Sequence, residues 1–242
     1  MKVIGITGGV GAGKSRVLAL LEEEFGAGII LADEVARQLQ EPGQPGFVRL
    51  LEYFGDGILG EDGRLDRAGL AARIFRDQEA LEAVNRMIHP LVWQTIQKMA
   101  ADFGRPPAAG ETALGDQGAG PQGTAVSPAA GKPAPGCRGA GPQRSAASLV
   151  AVESALFDRE SRSLCQELWF IDTSDENRIS RLMAGRGYTR ERCVSIIKNQ
   201  KSREEFLAFC DVVIDNNGSL DQVRRQIRRQ VERLEAPVSG TN

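Results

Sequence analysis

Histidine is almost missing from this chain, with His89 the only one, and the four cysteines, Cys137, Cys165, Cys193 and Cys210, are widely spaced with no C-x-x-C among them. Zinc ligation draws on clustered cysteine and histidine, so it has almost nothing to work with, and the thiols read as isolated and reduced. An excess of one charge is also lacking. The 30 basic and 32 acidic residues leave a net charge of -2, which offers no electrostatic footprint to nucleic acid or to a membrane surface. There is no apolar run of about 18 residues and no basic, apolar, small-residue leader, because glycines break the opening apolar stretch at once. A soluble, cytoplasmic protein is expected, with neither nucleic acid nor membrane as partner. Its 242 residues allow one lobed domain with a sizeable core.

The chain reads as alternating strands and helices. Lys2 to Thr7 has the pattern of a buried strand, and Ser15 to Phe25 carries Val17, Leu18, Leu20, Leu21 and Phe25 at helical spacing. A second apolar run, Gly28 to Leu31, passes into a helix-compatible stretch from Glu34 to Gln40, which places Asp33 at a strand's carboxyl end. From Pro42 to about Phe103 only helical pattern follows: Phe47 to Phe54, Arg67 to Phe75, Glu79 to Met87, and a separate last helix with Val92, Ile96, Met99 and Phe103. Strand-like runs return at Leu149 to Val152, Leu168 to Ile171 and Val212 to Ile214. Thr173, Ser174 or Asp175 suits the cap of the helix holding Ile179 and Leu182, and Ser219 to Gln222 has the form of a capping box. The final helix puts Val223, Ile227, Val231 and Leu234 on one face, leaving Arg224, Arg225, Arg228, Arg229 and Arg233 as a solvated basic face.

Five strands alternating with helices predict an α/β fold with a five-stranded parallel sheet, whose ligands gather at the strands' carboxyl ends. Residues 1–40 and 149–242 form its nucleotide-binding core, 41–103 an inserted helical acceptor lobe, and 175–201 an arginine-bearing lid. Between lobe and third strand, Gly104 to Ala147 holds ten Gly, seven Pro and eleven Ala in 44 residues. Such a segment buries too little apolar surface to offset its ordering entropy, so a disordered or loosely attached insert is expected.

Gly8-x-x-x-x-Gly13-Lys14-Ser15 is a complete phosphate-loop motif with the strand before and helix after that separate real sites from chance matches. Its glycines let the backbone of Gly8, Gly9, Val10, Gly11, Ala12, Gly13, Lys14, Ser15 and Arg16 curl around phosphate oxygens at the start of a helix. Lys14 would reach the β and γ phosphates of ATP, and the Ser15 hydroxyl would ligate Mg²⁺. A dinucleotide fold would need glycine where Lys14 stands. Asp215 to Gly218 satisfies D-x-x-G, the pattern of GTP-driven switches, yet it lies too late in the chain and no N-K-x-D accompanies it. A short turn capping a strand explains it.

Asp33, projecting beside the loop, could orient a hydroxyl and accept its proton in an in-line transfer, or simply cap the helix that follows. The segment Arg178, Arg181, Arg186, Arg190 resembles a lid that closes arginine over developing phosphate charge and excludes water, or is simply a helix surface that carries arginines.

In order, TGGVGAGKS (7–15), ADEVAR (32–37), FGDGIL (54–59), LDRAGL (65–70), IHP (88–90), SALFD (154–158), RLM (181–183), KNQ (198–200) and DVVIDNNGS (211–219) resemble the dephospho-CoA kinase family of P-loop kinases. The resemblance implies ATP- and Mg²⁺-dependent phosphorylation of the ribose 3'-hydroxyl of dephospho-CoA, the last step of coenzyme A synthesis. It also implies Asp33 as base, Lys14 and Arg186 as catalytic partners, an acceptor region at Arg67, His89 and Pro90, and Asn216 and Gln200 near the adenine or the closing lid. His89 otherwise reads as a satisfied residue capping a turn before Pro90. The chain departs from the family in the 44-residue insert, in Ser154-Ala155 where Pro-Leu is usual, and in Gly185 at the usual lid arginine, with Arg186 next. Arg16 stands where Thr is usual. The alternatives are a kinase for another small hydroxyl or nucleoside monophosphate acceptor, and a nucleotide-binding regulator without transfer activity.

Overall fold

A computed structural model describes residues 1–105, 137–138 and 147–236. The strands in chain order are β1 (Lys2–Thr7), β2 (Gly28–Leu31), β3 (Cys137–Arg138), β4 (Leu149–Glu153), β5 (Glu167–Asp172) and β6 (Val212–Asp215). Five of them make the expected parallel sheet, in the order β2-β4-β1-β5-β6. The two-residue β3 adds a strand that sequence reasoning did not anticipate, running antiparallel along the outer edge of β2. Apart from β3, Gly104, Arg105 and Ala147, the segment expected to be disordered lies outside the described residues.

Both faces of the sheet are covered, as parallel sheets require. Alternation along β1 divides the core: Val3 joins one cluster, whereas Ile4 and Ile6 join the other. On the second face, helix α1 (Lys14–Phe25) and helix α10 (Leu220–Glu235) bury Val17, Leu21, Val223, Ile227 and Val231 against Trp169 and Ile171. The arginines of α10 form the expected solvated face, with Arg225, Arg228, Arg229 and Arg233 exposed and Arg224 half-buried, and three of the five are also ion-paired. Arg224 and Arg228 both pair with Glu24 of α1, and Arg233 pairs with Glu167 at the start of β5. Ser219 caps α10 through the expected box.

The first face is covered by α2 (Ala32–Leu39), α3 (Pro45–Phe54), α4 (Arg67–Arg76) and α5 (Gln78–Phe103). Asp66 and Asp77 cap α4 and α5 by accepting N–H bonds from Gly69 and Ala80. The two helices expected at 79–87 and 92–103 are a single helix of 26 residues that runs through Pro90. Proline in a helix interior costs about 3 kcal/mol or more. Ile88, Val92 and Ile96 nevertheless form one buried stripe across it, and each buried side chain of this size returns about 1.5–3 kcal/mol. His89 therefore lies within a helix and caps no turn.

Beyond β4 come α6 (Arg159–Arg162), α7 (Asp175–Arg186), α8 (Arg190–Lys198) and α9 (Arg203–Phe209). Of the three candidate caps for α7, Ser174 is the one used, accepting from Asn177 N–H. Asp215 Oδ1 accepts from the Asn217 N–H at 3.0 Å, so the D-x-x-G sequence is a turn that closes β6. Among the described residues no helix is long and apolar enough to cross a membrane.

Two predictions follow from the packing. A Cβ added at Gly28 would lie 2.6 Å from the Phe103 ring, so Gly28→Ala overpacks the contact between β2 and the end of α5 and should cost about 1–3 kcal/mol, read as a fall in Tm without loss of two-state melting. Burial pushes the Cys165 thiol up to about 12 and that of Cys210 to about 11. Both should resist iodoacetamide at pH 8 in the folded protein and react only after denaturation, as followed by mass spectrometry.

Candidate active site

The chain leaves β1 at Thr7, curls through the glycine-rich loop and enters α1 at Lys14. Gly13, the residue before α1, has φ 89°, a left-handed conformation that disfavours any side chain. A Cβ there would also lie 2.4 Å from Asn216 Nδ2. Helix α1 has no side-chain cap and no acid in its first turn, so its leading N–H groups and dipole are left to an incoming anion. Lys14 folds back over the loop, donating from Nζ to the Gly8 carbonyl at 2.9 Å.

The loop is held from behind by residues distant in sequence. The Ala12 carbonyl accepts from Thr173 Oγ1 at 2.9 Å, Asn216 Nδ2 at 2.6 Å and Arg181 Nη1 at 3.1 Å. Val10 is clamped on both sides: its N–H donates to Gln200 Oε1 at 3.1 Å, and its carbonyl accepts from Arg178 Nε at 3.0 Å. Arg178 is itself buried and also donates to Gln200 Oε1 and to Asp175. Asn216 and Gln200 thus face the loop backbone, and the Val10 amide points at a side chain of its own protein.

In front of the loop lies a cavity of about 520 Å³, bordered by Lys14, Ser15, Asp33, Glu153, Arg181 and Arg186. Strand order explains why these meet. β4 lies between β1 and β2, so its last residue, Glu153, pairs in register with Ile6 on one side and Leu31 on the other. Asp33 is the second residue of α2, whose N-cap is Leu31. It stands in the first turn of the helix, exposed and bordering the cavity, and is not the cap. Burial raises the pKa of the Glu153 carboxyl, opposed by the Lys14 ammonium 3.5 Å away and reinforced by the negative charge of Asp33. Arg186 closes the rim as the last residue of α7, beside Gly185.

Not every expected residue reaches this cavity. Arg16 is exposed on α1 and is not part of its lining. Arg67, the first residue of α4, bonds Gln40, the Arg37 carbonyl and Glu41, and His89 and Pro90 lie half-buried in the middle of α5. Those three belong to the helical lobe and not to the lining of the phosphate cavity. The residue that sequence reasoning missed is Glu153. Its signal was a lone acid closing the apolar strand LVAV, visible as composition but mute about position until the strand order is known. Ser154 replaces the missing proline with a side-chain turn, donating to the Leu156 carbonyl at 2.8 Å and accepting from its N–H.

The family model described as dephospho-CoA kinase matches residues 2–108 and 142–222, interrupted where the glycine- and proline-rich segment lies. A dephospho-CoA kinase of Carboxydothermus hydrogenoformans is 32% identical over 227 residues, covering 94% of this chain and 91% of its own. One from Corynebacterium glutamicum is 36% identical over 234 residues, covering 97% and 100%. Among solved structures, TT1252 from Thermus thermophilus superposes with a TM-score of 0.68 at 25% identity, covering 98% of both chains. The dephospho-CoA kinase from Campylobacter jejuni has the same fold, with a TM-score of 0.57 at 17% identity over 97% of this chain and 98% of its own. With a family model matching residues 2–108 and 142–222 and relatives 32% and 36% identical over nearly the whole chain, the chain belongs to the dephospho-CoA kinase family.

Proposed function

We propose that this chain transfers the terminal phosphoryl group of ATP to the ribose 3'-hydroxyl of dephospho-CoA, giving coenzyme A and ADP, as a cytoplasmic enzyme. The observation that carries the reading is the meeting of Lys14, Ser15 and Asp33 around one cavity in a chain of this family. A phosphate loop supplies the donor half of a kinase site, and a carboxylate on the next strand's exit supplies the acceptor half.

In this mechanism the loop amides of Gly11 to Ser15 and the Lys14 ammonium hold the phosphates, so positioning and electrostatics do most of the work. Asp33 orients the 3'-hydroxyl and takes its proton as the oxygen bonds to the γ-phosphorus and the bond to ADP breaks. Exposure suits Asp33 to this role, since a loose transition state asks little of the base beyond position. Arg186, on the rim, faces the charge that spreads over the transferring oxygens, and α7 with α8 forms the lid.

The residues present also fit Mg²⁺. Among the described residues no cluster of three or more acids, histidines or cysteines could cage a metal, and Mg²⁺ bound through nucleotide phosphates keeps its waters and needs only one or two protein oxygens. The Ser15 hydroxyl, at the start of α1 and bordering the cavity, offers such an oxygen. When bound, the ion neutralises charge between the β and γ phosphates. The acceptor rests against the helices that carry Arg67, His89 and Pro90, a reading that stands on the family resemblance, Arg67 itself bracing α4 against the end of α2.

Asp33→Asn should lower kcat by about 10²–10⁴ while ATP affinity by calorimetry stays within about twofold; unchanged turnover would remove Asp33 from the reaction. Arg186→Ala should lower kcat about a hundredfold or more with little change in the melting temperature, because its side chain is exposed. ADP formation that depends on added dephospho-CoA, and on no other acceptor in a panel of small hydroxyls and nucleoside monophosphates, tests the substrate assignment.

A further inference from the structure

Glu153 has no part in the transfer as set out above, yet it stands at the centre of the site. A parallel strand reading LVAV needs no acid to close it, and this one is placed by register between the loop that follows β1 and the helix that carries Asp33. Its side chain is only 17% exposed. Among the described residues its one ion-pair partner is Lys14, 3.5 Å away, the same ammonium that donates to the Gly8 carbonyl. The cation that a triphosphate requires is therefore already held, by a carboxylate on one side and a carbonyl on the other. The other charges bordering the cavity are Asp33, Arg181 and Arg186. Arg181 is committed to the Ala12 and Asn216 carbonyls, and Asp33 repels.

We propose that Glu153 is a positioning residue acting through Lys14: it holds the ammonium over the loop and is the counter-ion that a nucleotide's terminal phosphates displace. Lys14 is its ion-pair partner, so surrendering that ammonium leaves this half-buried carboxylate opposite phosphate with no partner. Nucleotide affinity is thereby held below what the loop alone would provide, and release of ADP is assisted because Glu153 reclaims Lys14 from the β-phosphate. The inference rests on the reading that nucleotide phosphates occupy this loop.

The test is calorimetric titration of ATP and ADP into the full chain and its Glu153→Gln variant, once in EDTA and once with Mg²⁺, beside steady-state kinetics. Loss of one partly buried charge should tighten both nucleotides by about three- to tenfold under both conditions, with KM for ATP falling in parallel and kcat moving less than about twofold. Glu153→Asp, which keeps the charge on a shorter stem, should tighten binding by less than the glutamine substitution. In a Lys14→Met background, Glu153→Gln should give a clearly smaller gain, since the part of the effect that runs through Lys14 is gone. Unchanged or weaker binding by Glu153→Gln overturns the proposal, as does a gain that persists undiminished without Lys14. A loss confined to the Mg²⁺ titration also overturns it, assigning the carboxylate to the metal instead. Should circular dichroism show that Glu153→Gln does not fold, Glu153→Asp carries the test alone, and an affinity at or below that of the parent is the overturning result. Failure of the parent chain to bind ATP at all would instead remove the phosphate-loop reading.

Discussion

One carbonyl oxygen holds the site together. Ala12 offers its oxygen to a hydroxyl following β5, an amide following β6 and a guanidinium of α7. These three donors come from stretches more than 150 residues further along the chain, so the phosphate loop acquires its shape only after β5 and β6 have joined β1. The loop's glycines permit the curl. The donors select one curl from those permitted, at about 1 kcal/mol net for each satisfied bond and more for the charged one. A loop fixed in advance aims its amides without having to reorganise when charge arrives, and such preorganisation is where phosphoryl transfer draws most of its acceleration.

The same economy of partners governs the charges. Arg178 and Arg181 stand nearest the loop, and both are spent on its backbone, whereas Arg186 at the far end of α7 remains exposed at the rim. Arginines spaced three and five residues apart on one helix thus divide by partner: buried Arg178 and exposed Arg181 bond loop carbonyls, and Arg186 borders the cavity. On the opposite wall, Asp33 and Glu153 are neighbours with unlike settings. The first is exposed; the second is half-enclosed and ion-paired.

Local patterning made much of this legible. The strand, glycine turn and helix of residues 2–25 could be read directly, because a buried strand, a glycine-rich motif and a 3.6-residue period each leave a mark in adjacent residues. Lys14, Ser15 and Asp33 meet around the cavity because they follow the carboxyl ends of two parallel strands, β1 and β2, that lie on either side of β4, and strand and helix pattern predicts that carboxyl-end position. What could not be read was set by tertiary contact. Proline signalled a break at Pro90, but the stripe of Ile88, Val92 and Ile96 carries α5 straight through it. The ion pairs that Arg224 and Arg228 make on the solvated face of α10 could not be read because their partner Glu24 is 200 and 204 residues away. Glu153 was invisible for the same reason: its neighbours on either side are Ile6 and Leu31, and no local pattern announces which strand will lie between which.

The first-face cluster runs without interruption from the sheet, through Val3, Ile30, Val150 and Val152, into Phe47, Leu50, Leu70, Ile88 and Ile96 of the helices. Alpha helix α5, about 39 Å long at 1.5 Å per residue, is the common beam. The cluster beneath α7 and α8 is by contrast three buried residues, Ile179, Leu182 and Cys193, with a few half-buried neighbours. Interiors this close-packed resist shear in proportion to what they bury. The helices on the first face are thus founded on a broad core shared with the sheet, whereas α7 and α8 stand on a narrow one of their own.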